Sequence, residues 1–269
     1  MNAHRIWAVT SRHLYVYKRS PVRLAEMIYW PFLDLVLWGF VSIYLRDASH
    51  AAGATGAAAN FVAFFIGALI LWDLLFRSQQ GVSLAYLEEV WARNLLNLFV
   101  SPLTVGEFLT STLVISFVKL LFSAAVMAVL AYVFYGFNLF IMGLALVPFV
   151  FNLLLFGWAL GIFTTAMVLR LGQGAESLAW VVAFAFQPLA CVFYPVSVLP
   201  HWLQPVALAT PAAHIFEGMR AVIGHGPFPT AQIGWAFGLN AIYMGAAVWF
   251  FYRTFALVRE RGLLAKTGE

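Results

Sequence analysis

Two stretches of this chain, residues 120–169 and 177–200, contain no Asp, Glu, Lys or Arg. No other feature restricts the fold as strongly. A helical pass through the hydrocarbon core takes roughly 20 mostly apolar residues, so the first stretch alone must hold more than one pass. The rest of the 269 residues agrees. They are 63% hydrophobic and 10% charged, whereas about a quarter of a soluble domain is charged. The chain reads as all-α, a polytopic membrane protein.

The formal charge of +4 does not indicate nucleic acid, because the basic residues flank apolar spans, where membrane topology places them. Cys191 is the single cysteine, so no intrachain disulfide can form. The first residues show no apolar core with a small-residue cleavage site, and this segment is expected to stay.

Six spans are expected at about 24–45, 60–80, 106–134, 139–169, 176–195 and 230–252. Ahead of them, residues 3–20 read as an amphipathic helix on the membrane surface. Arg5, Arg12 and Arg19 recur every seven residues beside Trp7, Leu14 and Pro21, a pattern suited to anionic lipid headgroups. Residues 50–60 form a small-residue loop, Tyr135-Gly136-Phe137-Asn138 a tight turn, and residues 170–176 a short polar link. Residues 196–229 hold five of the eleven prolines and read as a long structured connection.

With the N-terminus inside, twelve Lys and Arg residues fall on the cytoplasmic side, only Arg46 and Arg220 outside, and Lys119 within a span. The positive-inside rule then places both termini in the cytoplasm. It also places residues 84–100, between spans two and three, on the cytoplasmic side. There Leu84, Leu87, Trp91, Leu95 and Leu98 step by three or four residues and form one apolar face. Glu89 and Arg93 are spaced for an i,i+4 pair, and Ser101-Pro102 turns the chain before span three. The expected element is a stiff interfacial rod, although periodicity alone favours a helix that only covers lipid headgroups.

Asp34 and Lys119 fall near the middle of spans one and three. A lone charge there costs about 2.5–3.5 kcal/mol, so the two are expected to neutralise each other, within a protomer or across a dimer. Asp73 and Arg77 are spaced for a local pair, as are Glu217 and Arg220. Pro148 and Pro188 read as kinks in spans four and five. The six histidines have no metal-like spacing; His201, His214 and His225 are expected as interfacial rings. No residue set suggests catalysis.

Two motifs carry a resemblance. Glu89-x-x-x-Arg93-x-Leu-Leu-x-Leu-Phe-x-Ser101-Pro102-Leu-x-x-x-Glu107 resembles the cytoplasmic coupling segment of ABC-2 type transporter permeases. Residues 193–220 resemble that family's external re-entrant segment: Pro195-Val196, Leu199-Pro200-His201-Trp202, Pro211 to His214, and Glu217 to Arg220. Where many members carry an Arg-Gly-Thr-like run, this chain has Val90-Trp91-Ala92-Arg93-Asn94. The resemblance covers essentially the whole chain. It implies a single ABC-2 type transmembrane domain over residues 1–269, with an interfacial helix (1–23), a coupling helix (84–100) and a re-entrant segment (196–229).

It also implies a permease subunit of an ATP-driven exporter in the bacterial inner membrane, moving a lipid-like, drug-like or glycan cargo outward. Two copies, a homodimer in membrane lipid, would meet two ATP-binding cassette subunits. Glu88, Glu89, Trp91, Arg93, Leu95, Ser101 and Pro102 would form the coupling site. The chain itself is expected to bind no cofactor: the fragment Gly262-Leu-Leu-Ala-Lys266-Thr267 lacks the second glycine of a phosphate loop, so ATP and Mg would be held by the partner. The alternative is an ion-coupled carrier or channel independent of an ATPase, using Asp34, Lys119 or Asp73 as relays. It has no inverted repeat of broken helices to support it.

Overall fold

The computed structural model describes residues 1–51 and 58–261. Most of the expected 50–60 loop and the fragment from Gly262 to Thr267 lie outside the described residues. Among these, the chain is helical with no strand: α1 (Ala3–Arg19), α2 (Pro21–Ala51), α3 (Ala58–Trp91), α4 (Leu95–Val100), α5 (Val105–Tyr135), α6 (Leu146–Leu171), α7 (Leu178–Phe186), α8 (Gln204–Leu208), α9 (Pro211–Ile223) and α10 (Thr230–Glu260). Five apolar segments are long enough to cross a membrane: Pro21–Ala48, Phe61–Trp91, Val105–Tyr135, Leu139–Leu171 and Thr230–Glu260.

Helix α3 is the axis of the bundle and packs against α2, α5 and α6. Small residues allow the close approach. A Cβ on Gly157 of α6 would stand 2.5 Å from Ser78 Cβ and 2.6 Å from the Leu75 carbonyl, and one on Gly161 would stand 2.7 Å from Val82 Cβ. This is the small-xxx-small packing that apolar helices use in lipid, where no hydrophobic force draws them together. On the other side of α3, Ser116 of α5 donates to the Ser78 carbonyl at 2.9 Å.

The expected fifth span differs. Its helical part, α7, is nine residues, about 13 Å of rise against a core of about 30 Å. Pro188, expected as a kink, instead follows the helix end: Gln187 before it keeps helical geometry, but proline has no N–H to continue the i→i−4 ladder. Turns follow, and Cys191 adopts φ 53°. Pro148 does not kink span four either. It lies in the first turn of α6, where its missing N–H costs little. The break comes earlier, at Gly143 (φ 54°, ψ −137°). The expected tight turn at Tyr135 to Asn138 is present, with Gly136 as left-handed cap of α5.

Candidate functional site: the junction of α1, α3 and α5

Residues 84–100 do not form one rod. Helix α3 runs on from the bundle through Leu84, Leu87 and Glu88 to Trp91, then closes in a paired-bond cap. The Arg93 N–H donates to the Val90 carbonyl at 2.9 Å and the Asn94 N–H to the Glu89 carbonyl at 2.9 Å. This is a Schellman arrangement, with Arg93 in the left-handed position (φ 51°) where glycine is usual. The short helix α4 follows, and Ser101-Pro102 leads into α5. Thr104 caps that helix in a reciprocal box: its N–H donates to Glu107 at 2.9 Å, and its hydroxyl accepts from the Glu107 N–H at 3.3 Å.

The expected Glu89–Arg93 pair does not form. The left-handed turn swings Arg93 outward into solvent, and Glu89 is fully buried beneath α1. There it meets the Arg12 guanidinium, His13 Nε2 at 3.2 Å and the Asn94 side-chain amide at 2.8 Å. Glu88 is held likewise, accepting from the Tyr17 hydroxyl at 2.9 Å and Arg23 at 3.2 Å, with His13 Nδ1 at 3.2 Å. Both ring nitrogens of His13 thus face carboxylates, Nδ1 in a hydrogen bond to Glu88 and Nε2 only in proximity to Glu89. Burial first, then the Glu88 charge, raises the Tyr17 phenol above its ordinary range, so the hydroxyl remains a donor. At the other end of α1, the Asn2 N–H donates to Glu107 at 2.6 Å and Arg5 donates to the Pro102 carbonyl at 2.5 Å.

Helix α1 is therefore a strap across the α3–α5 junction. Its outer face still presents Trp7 and Tyr15, as an interfacial helix would. Sequence reasoning missed His13, Tyr17 and Arg23 as partners of Glu88. The local part of the signal is His13 and Tyr17, one turn apart on α1; their pairing with Glu88 is long-range. Of the expected coupling residues, Trp91, Arg93, Ser101 and Pro102 are exposed, Leu95 is buried, and Glu88 and Glu89 serve α1. The Trp91 indole donates to Glu176 at 2.9 Å, bringing the polar link after α6 to the same end of the molecule. The last turns of α10 are there too, with Phe255 and Val258 in one apolar cluster with Leu87, Val90 and Leu95.

Among intramembrane charges, Asp73 receives Arg77 at 3.1 Å as expected, and also the Ser123 hydroxyl at 2.7 Å. Asp34 and Lys119 make no ion pair among the described residues. The Lys119 ammonium instead donates to the Tyr17 hydroxyl at 2.7 Å, 4.2 Å from that ring's centre, because α1 reaches it first. At the opposite end, Glu217 and Arg220 pair at 3.2 Å. They also secure the irregular turn: the Val196 N–H donates to Glu217 at 2.7 Å and Arg220 to the Cys191 carbonyl at 2.8 Å. Pro195 opens a short 3-10 turn and Pro200 follows it, while Trp202 is exposed. Pro211 starts α9 behind the Thr210 cap, and His214 Nε2 lies 2.8 Å from the Leu208 carbonyl. Phe216 and Met219 of α9 are fully buried, so this segment is packed into the bundle.

Residues 4–223 match the family of ABC-2 type transporters. The chain belongs to the ABC-2 type transporter family. The match runs from α1 to the end of α9, so it takes in both the strapped junction and the Glu217–Arg220 clamp. No curated protein matches the chain. Membership makes the chain a multi-pass permease, the transport subunit of an ABC transporter, whose family works with ATP-binding subunits. At the junction three helices meet through carboxylates, Glu89 and Glu107 buried and Glu88 mostly so, held by arginines whose outer ends stay exposed.

Proposed function

We propose that this permease forms a homodimer in the bacterial inner membrane and exports its cargo when two ATP-binding subunits push on the loop between α3 and α5. The observation that supports this is the engagement of Glu88 and the buried Glu89 by side chains of α1. Because α1, α3 and α5 are fastened together, a displacement of the exposed loop from Trp91 to Pro102 moves all three at once. Arg93 and Trp91 are the groups offered to the partner, and the glutamates transmit rather than contact. ATP and Mg belong to the partner chain. Cargo of lipid-like, drug-like or glycan type would pass between protomers.

The test is co-purification of the tagged permease with its ATP-binding subunit, followed by ATPase assays in lipid. Arg93→Glu is expected to reduce recovery of the partner and its stimulated hydrolysis by tenfold or more. Unchanged assembly and hydrolysis, or cargo movement with no nucleotide-hydrolysing subunit present, would refute the proposal.

A further inference from the structure

Between α1, α2, α3, α5 and α7 lies a cavity of about 590 Å³, within the range of small-molecule sites. Its lining contains three cations, and each already has a partner. Arg23 is bonded to Glu88 at 3.2 Å, Arg77 to Asp73 at 3.1 Å, and Lys119 to the Tyr17 hydroxyl at 2.7 Å. Its two carboxylates, Glu26 and Asp34, differ: both are exposed, and among the described residues neither has a hydrogen bond or ion pair, although the charges of Asp73 and Arg77 act on Asp34 from across the cavity. Both stand on α2 with Trp30 midway between them, at i, i+4 and i+8, so they share one flank of that helix. Across from them the wall is Phe76, Trp180 and Phe184, and the rings of Phe76 and Phe184 lie 5.1 Å apart.

We propose that this cavity binds a lipophilic organic cation, with Asp34 and Glu26 as counter-charges and the tryptophan faces as its bed. Carboxylates whose acceptor capacity is unused, beside aromatic rings, are the two groups that recognise a soft, weakly hydrated cation. An anion would have to draw Lys119 from the phenol and bring its charge beside two free carboxylates. The proposal rests on the export reading in that it gives the cargo a chemical class, but binding itself requires no ATPase.

Tetraphenylphosphonium and tetraphenylborate share a shape and differ in sign, so together they separate charge recognition from partitioning. The purified full chain in detergent is dialysed to equilibrium against each, with protein-free micelles as blank. Saturable binding is expected for the phosphonium and none for the borate. Asp34→Asn and Glu26→Gln are each expected to weaken binding tenfold or more, and Trp180→Leu severalfold. Should Asp34→Asn fail to yield a monodisperse peak, Glu26→Gln and Trp180→Leu decide. The proposal is overturned by equal binding of the borate, by unchanged affinity in the folded variants, or by no saturable phosphonium binding. Because no partner is in the assay, such a result would leave the coupling reading standing, and a failure of ATP-driven transport would leave this one standing.

Discussion

At Glu89 the chain places a carboxylate where no water reaches, and the arrangement holds only because Arg12, His13 and Asn94 all converge on it. Removing one partner of a buried charged set typically costs about 3–5 kcal/mol, because the others keep their desolvation cost. Glu89→Ala is therefore expected to lower thermal stability by that order, with Glu89→Gln milder because its carbonyl still accepts from Asn94. A fluorescence-detected melt in detergent would show it, and an unchanged melting point for both variants would contradict the buried role. Tyr17→Phe removes one hydroxyl that joins Glu88 to Lys119, an expected loss of about 1–3 kcal/mol, while the ring stays beneath the ammonium. Arg93 offers the opposite case. A side chain in the left-handed region costs about 1–2 kcal/mol, so Arg93→Gly is expected to stabilise the permease by about 1 kcal/mol while weakening capture of the ATP-binding subunit. Two readouts moving in opposite directions would mark strain kept for contact.

Among the elements, the helices were legible in the sequence wherever one pass was bounded by charge or turn residues. Gly136 after Tyr135, and Thr104 three residues before Glu107, are local signals, and the structure uses both. What stayed hidden was long-range. Arg5 and Arg12 announce an amphipathic helix by their spacing, but nothing local says that they meet Glu107 and Glu89. A charge near lipid headgroups and a charge near a distant glutamate leave the same periodic trace. The fifth segment departs from a single long helix for another reason: an apolar run measures hydrophobicity, not helix length, and Pro188 stops α7 where hydropathy continues. Gly157 and Gly161, four apart, bring α6 onto α3. Gly161→Leu is expected to force the helices apart, with an overpacking penalty of about 1–3 kcal/mol and a lower yield of monodisperse protein. Ala at an exposed glycine such as Gly238, which has open space around its Cβ position, serves as control.

For the whole molecule the question is which parts move together. Asn2 and Arg5 fasten one end of α1 to the start of α5, and Arg12, His13 and Tyr17 fasten the rest to the end of α3. These three helices are joined by side-chain hydrogen bonds and ion pairs, whereas α7 is short and followed by irregular turns. Motion driven at the exposed loop is then expected to carry α1 with α4 and to be absorbed elsewhere. Spin labels at Tyr15 and Asn97, both exposed, would report on this in the complex with its ATP-binding subunits. Between nucleotide-free and ATP-bound states their separation should change by no more than about 2 Å, while a pair from Asn97 to Val181 on α7 shifts further. A change of about one helical turn, 5.4 Å, between α1 and α4 would mean that the strap opens during the cycle. The buried glutamates would then act as a latch that the nucleotide releases.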